Sequence, residues 1–207
     1  MIPLMIDFSG RIVTIVGGGT VGARKASYFH QDAEVRVVSR SFSEDLAGLS
    51  VERVCCDLDG ISDAGIDGLV AGSFLVIAAT SDWKLNRRIA GRCRELGILC
   101  NLATGEGGDV LLPSVVRGER YSVAISTAGQ SPGVPRYVRG VLERELGGLD
   151  AMIAIQQELR TLLREKVTGQ EERQRLLRAV LEDPEVWAMA VTDPEGAREL
   201  AKRRYGR

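Results

Sequence analysis

The chain has 207 residues, a formal net charge of −1, 24 glycines, four cysteines and one histidine. That length can bury a full hydrophobic core without disulfide or metal staples. The balanced charge argues against a broad nucleic-acid surface, and the lone histidine, His30, excludes a multi-histidine metal cage.

The first half alternates short apolar runs with helical patterns. Residues 11–16, 35–39, 51–56, 74–78 and 98–100 read as strands, and residues 20–31 and 82–96 as helices. Strands alternating with helices form βαβ units and a parallel sheet. The strand runs are nearly all apolar, as expected when helices cover both faces. The expected class is therefore α/β, with a Rossmann-type parallel sheet.

After Asn101 the pattern changes. A glycine-rich stretch at 104–108 leads into two runs, 109–117 and 120–127, joined at Gly118-Glu119 as an antiparallel hairpin. Ser131-Pro132 reads as an N-cap and first-turn proline, opening a helix that Gly147-Gly148 stops. Beyond it Leu149, Met152, Ile153, Leu159, Leu162 and Leu163 recur at helical spacing. Leu176, Leu177, Val180 and Leu181 repeat the pattern, and Pro184 and Pro194 punctuate the tail. The expected division is a nucleotide-binding domain at 1–112, a hairpin-and-helix region at 113–147 and a helical domain at 148–207.

Cys55, Cys56, Cys93 and Cys100 have no C-x-x-C spacing, which argues against a zinc or thioredoxin-like motif. They read as reduced thiols of a cytoplasmic protein. No secretory pattern opens the chain, and no apolar run approaches the ~18 residues of a membrane span.

The strongest local motif is Gly17-Gly18-Gly19-Thr20-Val21-Gly22, a G-x-G-x-x-G between a strand and a helix. Gly17 suits the tight turn, Gly19 lets backbone approach a diphosphate, and Gly22 lets the helix pack close. The helix N-terminus offers free N–H groups and a positive dipole end. Where an NAD site often has an acid after the second strand, this chain has Ser39-Arg40-Ser41. Arg40 fits a 2′-phosphate, which points to NADP, or it stacks on adenine or faces solvent. The residues alone leave NAD and NADP both open. Thr80, Asp82 and Asn101 lie at other strand ends, with Asp82 also placed to cap the next helix. His30 falls late in the first helix, away from those ends.

These pieces resemble the precorrin-2 dehydrogenase / sirohydrochlorin ferrochelatase family of sirohaem biosynthesis. The resemblance rests on Ile15-Val16-Gly17-Gly18-Gly19-Thr20-Val21-Gly22-Ala23-Arg24-Lys25 and Ala78-Ala79-Thr80-Ser81-Asp82-Trp83-Lys84-Leu85-Asn86. It continues through Cys100-Asn101, Pro113-Ser114-Val115-Val116-Arg117-Gly118 and Ala124-Ile125-Ser126-Thr127-Ala128-Gly129-Gln130-Ser131-Pro132. The order is the family's own, and the coverage runs from about residue 2 to 146.

The resemblance implies an NAD-binding Rossmann domain, a dimerisation region and a helical domain. It implies NAD-dependent conversion of precorrin-2 to sirohydrochlorin by a homodimer, with Fe2+ insertion in some members. The family uses NAD without an acid after the second strand, so Ser39-Arg40-Ser41 accords with NAD. One position departs from the family. Thr104 stands where the family usually has a catalytic aspartate, three residues after Asn101. A threonine hydroxyl is a poor general base and a weak Fe2+ ligand. Glu106 or Asp109 then substitutes, or the chelatase step is lost or rests on other groups. Thr104, Glu106 and Asp109 are the candidate catalytic residues.

A polycarboxylate substrate calls for cations and hydroxyls. Arg117, Arg120, Arg136 and Arg139 cluster in the hairpin and following helix, and arginine suits bidentate carboxylate binding. Arg117, Ser126, Ser131 and Arg136 are the substrate-binding candidates. No tyrosine has a lysine four residues on, which argues against a short-chain dehydrogenase. The alternative is a tetrapyrrole- or nucleotide-binding Rossmann protein without chelatase, or without enzymatic activity.

Overall fold

A computed structural model of the chain describes residues 1–103, 107–131 and 133–206. The chain divides into two compact units, Met1–Leu112 and Pro113–Arg207.

In the first unit β1 (Ile12–Val16), β2 (Glu34–Ser39), β3 (Glu52–Cys55), β4 (Leu75–Ala78) and β5 (Leu99–Leu102) form one sheet. Its order is β3-β2-β1-β4-β5, and every pairing is parallel. Successive side chains of a strand point to opposite faces. Val13, Ile15, Val35, Val37, Leu75 and Ile77 pack with Ala23, Ala26 and Phe29 of α1 (Thr20–Phe29). Val16, Val76, Ala78, Cys100 and Leu102 pack with α2 (Asp63–Val70) and α3 (Trp83–Glu95), through Ile66, Val70, Ile89 and Cys93. The apolar strands therefore lie under helices on both faces, as their composition predicts.

The sequence pattern does not predict α2. It is eight residues long, contains Gly65 and Gly68, and buries only Ile66 and Val70. Its overlooked signal is Ser62, whose hydroxyl accepts the Gly65 N–H at 3.1 Å. Asp67 then takes a bidentate bond from Arg92 at 2.8 and 2.7 Å, joining α2 to α3. That hydrogen bonding outweighs desolvation and lowers the Asp67 pKa.

In the second unit β6 (Ser114–Arg117) pairs antiparallel with β7 (Ser122–Ile125). The strand expected from residue 109 begins only at Ser114. Instead the Asp109 and Val110 N–H groups both donate to the Cys100 carbonyl, and Pro113 has no N–H to offer a ladder. The hairpin turn is held from below, because Asp150 accepts the Glu119 and Arg120 N–H groups at 3.0 and 2.7 Å.

Next come α4 (Gly133–Glu145), α5 (Leu149–Lys166), α6 (Gln170–Leu181), α7 (Pro184–Thr192) and α8 (Pro194–Tyr205). The expected first-turn proline of α4, Pro132, lies outside the described residues. Gly148, at φ +84°, takes the left-handed turn between α4 and α5. Met152, Ile155, Leu159 and Leu163 are the buried residues of α5, so its inner face differs from the predicted one by including Ile155 and leaving Leu149, Ile153 and Leu162 half-buried. Pro184 and Pro194 open α7 and α8, behind the capping residues Asp183 and Asp193. Regions 113–147 and 148–207 fall within this one unit.

Candidate functional site

In an open parallel sheet, ligands bind beyond the strand C-termini where the strand order reverses. Here β1 lies between β2 and β4, and their C-terminal loops surround a cleft of about 610 Å³. Gly17 to Val21, Ser39 to Ser41, Asp57 to Gly60 and Ala79 to Asp82 line it, with Lys84, Leu85 and Arg88 from α3.

The glycines are held by specific collisions. Gly17 has φ +120°, and a Cβ there would strike the Ala79 carbonyl. A Cβ on Gly18 would strike the Ser41 carbonyl, and one on Gly22 would strike the Gly17 carbonyl. Gly19 differs, because its Cβ position has nothing within 4 Å. That empty side is the approach a ligand needs. Gly19 is also the N-cap of α1 and supplies no side-chain cap, so Thr20 and Val21 begin a helix with orphan amides at the cleft.

The floor on the β4 side is held by a residue to which the sequence reading gives no role. Asn86 is fully buried and makes three bonds to one residue. Its Oδ1 accepts from the Thr80 N–H at 3.1 Å and the Thr80 hydroxyl at 2.7 Å, and its Nδ2 donates to the Thr80 carbonyl at 2.9 Å. Asn86 shares a helix face with Ile89, Ala90 and Cys93. A polar residue in that apolar stripe was the available signal. Asp82 lines the cleft and also caps α3, accepting the Lys84 N–H at 2.8 Å.

Asn101 is 3% exposed and is not among the cleft-lining residues. Its Nδ2 donates to the Val110 carbonyl at 2.7 Å, while its Oδ1 has no hydrogen-bond partner among the described residues. A buried acceptor left unpaired is costly. The empty side of Gly19 and the uncapped helix, both at the cleft, fit a dinucleotide.

Of the candidate catalytic residues, Thr104 and Glu106 lie outside the described residues. Asp109 is exposed, on the segment that bonds to the Cys100 carbonyl. Among the described residues no three His, Cys, Asp or Glu side chains form a group able to hold a metal. His30 is the C-cap of α1, at the helix end away from the cleft.

The substrate candidates all fall in the second unit. Arg117 ends β6, and Arg136 is exposed on α4. The Ser126 hydroxyl accepts the Ala128 N–H at 3.1 Å. Ser131 is tied through its backbone to the Thr127 hydroxyl, which accepts its N–H and donates to its carbonyl. Arg120 and Arg139 pair with Glu119 and Glu143. The hairpin turn and α4 therefore each supply a local acid to one of these arginines.

A family model described as "Putative NAD(P)-binding" matches residues 4–114. The precorrin-2 dehydrogenase of Methanosarcina barkeri is 42% identical over 195 residues, covering 90% of this chain and 85% of its own. Siroheme synthase 1 of Yersinia enterocolitica is 34% identical over 179 residues, and the match spans only 37% of that longer protein. Among solved structures, one titled "SirC, precorrin-2 dehydrogenase" shares the fold at a TM-score of 0.71 and 21% identity, covering 98% of this chain and 100% of that one.

Proposed function

This chain belongs to the precorrin-2 dehydrogenase family, and on that premise we propose that it oxidises precorrin-2 to sirohydrochlorin with NAD+, in the formation of sirohaem. The single observation that carries the reading is the glycine cleft at the strand switch point, lined by Gly19, whose Cβ position has nothing within 4 Å.

NAD+, when bound, supplies the hydride acceptor. The chain's own residues do the holding. The uncapped amides at Thr20 and Val21 receive the diphosphate. Ser39, Arg40 and Ser41 meet the adenosine end, and Asn86 fixes the Thr80 loop against which the dinucleotide lies. Arg117 and Arg136, with Ser126 and Ser131, bind substrate carboxylates. The substrate proton leaves to Asp109 or Glu106, since Thr104 carries only a neutral hydroxyl.

We propose a homodimer through the outer surface of α4. That helix buries none of its described residues, and Val134 and Tyr137 are 50% and 73% exposed. Two exposed apolar side chains on one uncovered helix support an interaction surface there. We place the protein in the cytoplasm, where its four free cysteines stay reduced. No helix among the described residues is long and apolar enough to cross a membrane.

Fe2+ is a second substrate in this reading, with Asp109 and Glu106 as its available carboxylates. Purified protein given precorrin-2 and NAD+ is expected to form sirohydrochlorin, followed by absorbance. No product with either NAD+ or NADP+ refutes the reading. Supplying sirohydrochlorin and Fe2+ separates the insertion step, and Thr104→Asp is expected to speed it. Unchanged insertion in that variant removes the argument from Thr104.

A further inference from the structure

The adenosine end of the cleft contains acids that the usual Rossmann pattern does not place there. In that pattern an acid at the end of β2 takes the ribose hydroxyls, and an arginine nearby accommodates a 2′-phosphate. Here β2 ends in Ser39, followed by Arg40 and Ser41, which leave NAD and NADP both open. The fold adds a second loop to that corner. Strand β3 is the sheet edge beside β2, so the loop after β3 opens onto the same corner. That loop brings Asp57, Leu58, Asp59 and Gly60 to the cleft wall with Ser39, Arg40 and Ser41. The Arg40 guanidinium is already engaged, donating to the Asp59 carboxylate at 3.3 Å. The corner thus carries two carboxylates against one paired cation.

We propose that Asp59, with Asp57 beside it, selects NAD over NADP by occupying Arg40 and repelling a 2′-phosphate. The inference rests on the NAD reading above and assigns the selection to the β3 loop. A 2′-phosphate brings about −1.5 to −2 charges at neutral pH, by analogy with other phosphate monoesters. To reach Arg40 it must displace Asp59 and then sit beside two carboxylates. The 2′-hydroxyl of NAD is neutral and can donate a hydrogen bond to an aspartate, so it meets no such opposition.

The test is calorimetric titration of the full chain with NAD+ and with NADP+, with no tetrapyrrole present. Wild type is expected to bind NAD+ the tighter. Asp59→Asn removes the charge while keeping the shape at an exposed position. It is expected to raise NADP+ affinity roughly fivefold, in keeping with the strength of exposed ion pairs, and so to raise the NADP+/NAD+ affinity ratio. Arg40→Ala in the Asp59→Asn background is expected to abolish that gain. Asp59→Glu keeps the charge and is expected to keep the preference. The gain should also shrink in high salt, because the corner is exposed. An NADP+/NAD+ affinity ratio that Asp59→Asn leaves unchanged overturns the proposal while leaving the cofactor reading intact. Wild-type protein that binds neither dinucleotide overturns the cofactor reading itself, and the proposal with it.

Discussion

Among the described residues, apart from the hydrogen-bonded Thr14–Ser73 pair, the buried polar residues of the first unit are Asn86 and Asn101. Asn86 braces the cleft floor, and Asn101 keeps one acceptor without a partner among those residues. In the second unit the buried polar residue among them is Asp183, and its bonds are all structural. Asp183 caps α7 through the Glu185 and Val186 N–H groups and accepts from Arg204 and Tyr205 of α8 at 2.8 Å each. Burying a polar group is costly unless it is paired. Asn86 offsets that cost by bracing the cleft floor, and Asp183 by tying α7 to α8. The difference separates a unit built around a cleft from one built around a helical core that supports a hairpin and an uncovered helix.

The two tryptophans let that comparison be tested unit by unit. Trp83 opens α3 in the first unit and Trp187 lies on α7 in the second, so single Trp→Phe variants give one fluorescence reporter each.

Gly22→Ala should have the largest effect. Its Cβ would meet the Gly17 carbonyl and push α1 off the sheet. The overpacking should cost the first unit about 3 kcal/mol in unfolding at Trp83, and the displaced α1 N-terminus should lower NAD+ affinity about 100-fold, the equivalent of about 2.7 kcal/mol of binding free energy. Calorimetry measures it, and unfolding followed at Trp187 should not change. Asn86→Leu comes next. It strands the Thr80 N–H and should cost the first unit about 2–3 kcal/mol in urea unfolding at Trp83, with NAD+ affinity down about tenfold.

Asp183→Asn is the converse experiment, expected to cost the second unit about 2 kcal/mol at Trp187 with NAD+ affinity unchanged. A pH scan gives the sign. Desolvation acts to raise the Asp183 pKa, but the bonds from Tyr205, Arg204 and the two backbone amides outweigh it, and the value falls below 3.8. A depressed carboxyl contributes stability that is complete above its unfolded pKa and lost as pH falls through its folded one. The second unit of wild type should therefore weaken below about pH 4, and Asp183→Asn should blunt that loss. Val134→Asp with Tyr137→Asp should have the smallest effect on the stability of the single protomer, within about 0.5 kcal/mol, since both are exposed there. Sedimentation should nevertheless show a dimer becoming a monomer. A wild-type monomer would contradict the interface reading.

Much of the first unit was legible from its pattern. Five apolar runs between helical segments dictate a parallel sheet, and G-x-G-x-x-G between strand and helix marks the nucleotide end. Two features escaped for identifiable reasons. Helix α2 is short, glycine-containing and weakly apolar, so its periodicity is faint. Asp57 and Asp59 join the cleft only because β3 pairs beside β2, a relation between strands that no local window contains. The hairpin was legible as alternation and a turn. Its start was not, because residues 109 and 110 bond to the Cys100 carbonyl rather than to β7. The partners of Arg117, Arg136, Ser126 and Ser131 depend on substrate, which no sequence spacing specifies.

The central claim is that the glycine cleft oxidises the tetrapyrrole. Its most direct test is the simultaneous measurement of NADH and sirohydrochlorin from precorrin-2 and NAD+, for wild type and Gly22→Ala. Equal amounts of the two products in wild type, with Gly22→Ala needing far more NAD+ to reach the same rate, is the predicted result. Enzymatic sirohydrochlorin without matching NADH, or a Gly22→Ala protein that responds to NAD+ as wild type does, would contradict it.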